Sequence, residues 1–119
     1  MDFKPEIELY SSSSSDVVDE ELFQKLGRAG IVKFEKKLSY YSGLTMATLL
    51  KTGTLDFING SKPRFHELKV KNLKFPVRIV SSIQGHTLLL LVPFFESGSD
   101  GVVEKHLRKA EQRLSEWLV

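Results

Sequence analysis

The run Leu88 to Phe95 reads Leu-Leu-Leu-Leu-Val-Pro-Phe-Phe and leaves no position for water. Side chains alternate between the two faces of a strand, so a strand apolar at every position has two buried faces. The spacing therefore predicts a central strand over Thr87 to Phe95. Its eight apolar residues include Pro93 and are far too few to cross a bilayer. Two more strands are expected just before it, at Phe65 to Lys71 and Phe75 to Ser82, with a tight turn at Gln84-Gly85.

Register makes this block informative about chemistry. With Leu73-Lys74 as a two-residue turn, Asn72 faces Phe75 and Lys69 faces Arg78. One face then holds Leu68, Val70, Val77 and Ile79, and the other holds Lys69, Lys71 and Arg78. A slip of one residue mixes the two sets, which a half-buried sheet resists. Three cations are thus expected together on the side of the pleat away from the helices.

The rest of the chain supplies helices. Glu6 to Tyr10 alternates polar and apolar and predicts a short first strand. After the serine run Ser11 to Ser15, Ser15 or Asp16 can cap a helix through its side-chain oxygen. Val18, Leu22 and Leu26 give that helix a stripe, and it is expected to end near Gly27. A second helix is expected from Arg28 to Tyr41, with Ile31, Phe34, Leu38 and Tyr41 on one face and Lys33, Lys36 and Lys37 off it. Gly43 is read as its left-handed stop, and the short link suggests an antiparallel hairpin. Thr45 to Lys51 reads as a helical turn, Leu55 to Ile58 as a short extended piece, and Asn59-Gly60 as a turn. A last helix is expected over Gly101 to Leu118, with Val103, Leu107, Ala110, Leu114 and Trp117 as its stripe. The expected fold class is α+β: an N-terminal strand, a helical hairpin, a three-stranded antiparallel meander and a C-terminal helix in one domain, 1–119.

Charge is distributed unevenly. Residues 1–24 carry one Lys against seven Asp or Glu, a net of −6, and residues 25–119 carry sixteen Lys or Arg against eight acids, a net of +8. A basic body of this kind suits an anionic partner; a solvated surface with chance clustering is the plainer alternative. The chain has no cysteine, which removes disulfides and thiolate metal sites. With no apolar leader visible in its first residues, the expected location is the cytoplasm, away from membranes.

Lys69, Lys71 and Arg78 in one cluster suit a phosphate. Arg offers a bidentate fork and Lys a compact charge. A crowded lysine can take a proton from a ribose 2′-hydroxyl, and Arg78 can stabilise charge on the attacked phosphate. His106, near the start of the last helix, is the candidate acid. The alternative is that Glu67 pairs with Lys69 or Arg78 on an ordinary exposed face. His66 shares a face with Leu68 and Val70 and reads as a core-edge residue, and His86 as an exposed turn residue. The three histidines lack metal-ligand spacing, and no phosphate loop, dinucleotide fingerprint or nucleophile elbow is present, so no metal or cofactor is expected.

The segments His66-Glu67-Leu68-Lys69-Val70-Lys71, Phe75-Pro76-Val77-Arg78-Ile79-Val80, Leu88 to Phe95 and Arg108-Lys109-Ala110-Glu111-Gln112-Arg113-Leu114 together resemble the RelE/ParE toxin superfamily, especially its HigB-type and phage-derived branch. The resemblance covers about residues 5 to 117. It implies a RelE-like two-layer domain and a toxin that cuts messenger RNA on the ribosome, with no cofactor. It also implies a cognate antitoxin as partner. In the ParE branch the expected action is instead inhibition of gyrase without catalysis. By position, Lys69 and Lys71 match the family's Lys-x-Lys pair and Arg78 the Arg of its Tyr-Arg pair. Val77 stands where the family has Tyr. The chain reads Phe94-Phe95-Glu96-Ser97 where nuclease members carry Lys or Arg, and no Tyr stands near the start of the last helix.

Overall fold

The computed structural model describes residues 2–60, 64–95 and 104–119. It is an α+β fold with a five-stranded mixed open sheet and three helices. The strands are β1 (Glu6–Leu9), β2 (Leu55–Phe57), β3 (His66–Val70), β4 (Val77–Gln84) and β5 (Thr87–Phe94). The helices are α1 (Val17–Ser42), α2 (Met46–Lys51) and α3 (Glu104–Trp117). Across the sheet the order is β1-β5-β4-β3-β2.

β5 is interior, between β1 and β4, and Leu88 to Leu91 are fully buried. Each such leucine contributes roughly 1.5–3 kcal/mol relative to exposure. The expected meander is larger than the sequence suggests. The extended piece at Leu55–Phe57 pairs antiparallel with β3, so four antiparallel strands run in succession, and β1 joins β5 in parallel. The register between β3 and β4 is the expected one, Lys69 opposite Arg78 and Val70 opposite Val77. The β4–β5 turn sits one residue later than expected. Gln84 pairs with Thr87 across Gly85 and His86, and Gly85 takes the positive φ of +61° that the first central position of a tight hairpin favours.

The expected end of the first helix at Gly27 is observed: α1 is two helices joined across a kink at Gly27, the one residue inside it with non-helical angles (φ +72°, ψ 179°). That conformation is open essentially to glycine alone. Gly27 therefore breaks the helix, and it does so without a connecting loop. Gly43 is not left-handed; its φ is −83°. Asp16 occupies the N-cap position but makes no side-chain cap bond. α2, by contrast, is capped by Thr45, whose Oγ1 accepts from the Thr48 amide at 3.1 Å.

The apolar stripes meet in one core. Val18, Leu22, Phe34, Leu38 and Tyr41 come from α1, Met46 and Leu49 from α2, and Ala110 and Leu114 from α3. Val103 of the expected α3 stripe lies outside the described residues. The sheet is buried on both faces along much of β4: Ile79 on one face and Val80 on the other are both fully covered. α3 lies on the Val80 side, where His106 stacks on Phe94. The expectation that the cationic side faces away from the helices is thus corrected, since α3 roofs the Phe94 end of it.

Candidate functional site: a salt-bridged corner of the sheet

Alternation places Asp56 on β2, Glu67 and Lys69 on β3, and Arg78 on β4 on one face of the sheet. Asp56 stands opposite Glu67, and Lys69 opposite Arg78. On the opposite face of the same strands Leu55, Leu68, Val70, Val77 and Ile79 are buried, with His66 at one end of β3. The sorting of these residues follows from a period of two and from the register just described.

The two carboxylates engage the two cations. Arg78 donates through Nε and Nη2 to both oxygens of Glu67, at 2.7–3.1 Å. The Glu67 side chain is only 6% exposed and that of Arg78 19%. A carboxylate this deeply buried is stable only with such a fork, because taking a charge out of water costs several kcal/mol. Lys69 Nζ forms an ion pair with Asp56. That pair is more open to solvent and contributes at most about 1 kcal/mol.

An aromatic column continues the site. The Arg78 guanidinium lies 4.9 Å from the Phe94 ring centre, and the His106 ring stacks on the same Phe94 at 4.8 Å, inclined by 18°. Three of the four expected site residues therefore converge. Lys69 and Arg78 are cross-strand neighbours, and Arg78 and His106 meet at Phe94. Lys71 is exposed and lies past the end of β3. Glu96 lies outside the described residues.

Chemically, the corner differs from the expected phosphate cleft. The Lys69 side chain is engaged by Asp56 rather than presented to a ribose hydroxyl. A guanidinium with its fork filled by Glu67 must release that carboxylate to grip a phosphate through the same edge. The pairing of Glu67 with Arg78 is the alternative that the sequence itself offers. Asp56 was not singled out there, because a three-residue strand gives too little alternation to set its register.

The remaining histidines lie elsewhere. His66 meets the Phe57 ring edge-on at 5.7 Å, and burial, aided by Arg64, pushes its pKa below the ordinary value. His86 stacks on Phe3. Among the described residues no group of three His, Asp or Glu is arranged to hold a metal ion.

A second charged network was not anticipated. Arg113, buried in α3, donates to the Leu91 carbonyl at 2.7 Å and to Glu21 at 2.8 and 3.0 Å. Lys109 donates to Glu21 as well, and Tyr10 hydrogen-bonds Glu116. Burial opposes ionisation of Glu21, but hydrogen bonds from Arg113 and Lys109 outweigh it and hold the carboxyl below its usual range. These contacts tie α3 to α1 and β5. The only trace in the sequence is that Arg113 adjoins the α3 stripe, between Ala110 and Leu114.

The fold and site thus define an α+β domain with a mixed five-stranded sheet and an ion-paired sheet corner. No family model matches the chain, and neither the curated proteins nor the solved structures contain a match to it.

Proposed function

We propose that this chain is a toxin-type inhibitor of the RelE/ParE kind that acts by binding a host protein rather than by cutting RNA. The carrying observation is the neutralised corner: Glu67 fills the fork of Arg78, and Asp56 engages Lys69. The sequence resemblance supports the toxin class. So does the element order, with an N-terminal strand, helices, an antiparallel run of strands and a closing helix. In this reading the protein works in the cytoplasm, gyrase or another host factor is the target, and a cognate antitoxin neutralises it. No described helix is long and apolar enough to cross a membrane.

The endoribonuclease reading keeps one specific observation in its favour, the meeting of Arg78 and His106 on Phe94. Controlled expression in a bacterial host separates the two. Binding without cleavage predicts growth arrest with intact messenger RNA, and arrest that persists in His106→Ala. Transcripts cut at defined positions, with both cutting and arrest lost in Arg78→Lys and His106→Ala, would overturn the binding reading.

A further inference from the structure

Three lysines that the sheet corner does not use are gathered on α1. Between Glu21 and Asp56 the chain carries six Lys or Arg and a single acid, Glu35. Lys33, Lys36, Lys37 and Tyr40 recur at helical spacings of three and four, so they share one face of α1. Opposite them runs the turn between β3 and β4, where Asn72 takes a left-handed φ of +65°. Together with Asn72 and Leu73 these side chains line a groove of about 330 Å³.

Two properties set the groove apart. First, among the described residues none of its lysines is in an ion pair, whereas Lys69, Arg78, Arg108, Lys109 and Arg113 all are. Like charges at these spacings repel by a few tenths of a kcal/mol per pair, and here no carboxylate offsets them. The same turn carries Lys71 and Lys74, both exposed. Second, the floor is apolar. Tyr40 is 64% exposed although its neighbour Tyr41 is buried, and Leu73 rests against the core from the other wall. The lysine stems extend this apolar surface while their heads stay in water.

We propose that this groove docks an acidic amphipathic peptide segment of a partner protein. Its carboxylates would meet the lysine rim, and an apolar side chain would rest between Tyr40 and Leu73. A groove of this volume suits one or two such side chains. A single-stranded nucleic acid fits less well, because tracking successive bases calls for several stacking rings and the groove offers one. The proposal stands apart from the toxin reading and does not depend on the sheet corner.

The test is fluorescence anisotropy with the full chain and a short labelled helical peptide of glutamates with leucines at every third or fourth position. Its counterparts are the same peptide with Gln for Glu and an RNA oligonucleotide of equal charge. The acidic peptide should bind in low salt and weaken steeply as salt rises. Lys33→Glu/Lys36→Glu/Lys37→Glu should weaken it at least tenfold. Tyr40→Ala should weaken it severalfold while leaving the salt dependence in place. If the triple variant unfolds, Lys33→Glu and Lys36→Glu singly, each at an exposed position, carry the same comparison. Binding no better than that of the Gln peptide, or unchanged in the variants, overturns the proposal. So does RNA that binds more tightly and is lost in the same variants, which would reassign the surface to nucleic acid. Concentration-dependent self-association abolished by the triple variant, without peptide binding, would assign the groove to the acidic N-terminal arm of a second copy and overturn it equally.

Discussion

Replacing Arg78 by Met tests whether the sheet corner is locked. Within the described residues Arg78 makes all four hydrogen bonds to the Glu67 carboxylate, which is 6% exposed. Met keeps much of the apolar bulk against Phe94 and removes the charge, leaving a buried carboxylate without its fork. Breaking one side of a buried pair costs about 3–5 kcal/mol. For a chain of this length that lowers Tm by roughly 10–20 °C. The companion substitution Glu67→Leu removes the carboxylate. A buried ion pair exchanged for apolar groups of similar volume is often near neutral, so the double variant should recover most of the loss, to within about 2 kcal/mol of wild type. Urea unfolding of the four proteins, followed by circular dichroism, closes the cycle, and the coupling should be about 2–4 kcal/mol. A cost under about 1 kcal/mol for Arg78→Met, with coupling near zero, refutes the reasoning. The pair would then be solvated and exchangeable, and Arg78 would be available to a phosphate.

Two further outcomes follow from backbone and titration. Gly27→Ala should destabilise by about 1–3 kcal/mol even though a Cβ there meets nothing within 4 Å, because φ +72° with ψ 179° is a glycine conformation. Gly43→Ala, at a right-handed helical φ, should cost well under about 1 kcal/mol, and equal effects at the two sites in thermal unfolding would contradict the helix-break assignment. His66 has its pKa pushed below the ordinary 6.5 by burial, so the unfolded chain binds the proton more readily than the folded one. Its contribution is present above about pH 6.5 and is lost as pH falls below that, and His66→Phe should flatten this part of the stability profile. A slope unchanged in His66→Phe would place the acid sensitivity on other groups.

What was legible in the sequence is what alternation and apolar continuity determine. Lys69 opposite Arg78 follows from a turn position and a period of two, and the interior place of β5 follows from a run with no polar position. The helix break at Gly27 was visible as a glycine between two apolar stripes, but its angles, φ +72° with ψ 179° and no intervening loop, were not. β2 was visible as an extended piece, yet three residues do not reveal which strand they pair with. Asp56 therefore reached the site unannounced, carried there by a long-range pairing. Arg113 was hidden for a related reason: an arginine beside an apolar stripe reads as surface until the Leu91 carbonyl and Glu21 are brought to it from distant parts of the chain.

The two sets of cations differ in what a ligand would have to overcome. At the sheet corner an incoming phosphate competes with Glu67 for the same donors, and displacing that carboxylate forfeits about 3–5 kcal/mol. A ligand held with millimolar to micromolar affinity has only about 4–8 kcal/mol in total. Most of the binding free energy available to a weakly held RNA segment would be consumed before any catalytic stabilisation began. On α1 no such competitor exists, since Lys33, Lys36 and Lys37 are ion-paired to nothing among the described residues. An anionic partner there gains its electrostatic attraction without first breaking a protein contact. Charge at the corner is thus committed to holding β2, β3 and β4 together, and charge on the helix is free for recognition. A binding role therefore suits this distribution of charge better than a catalytic one.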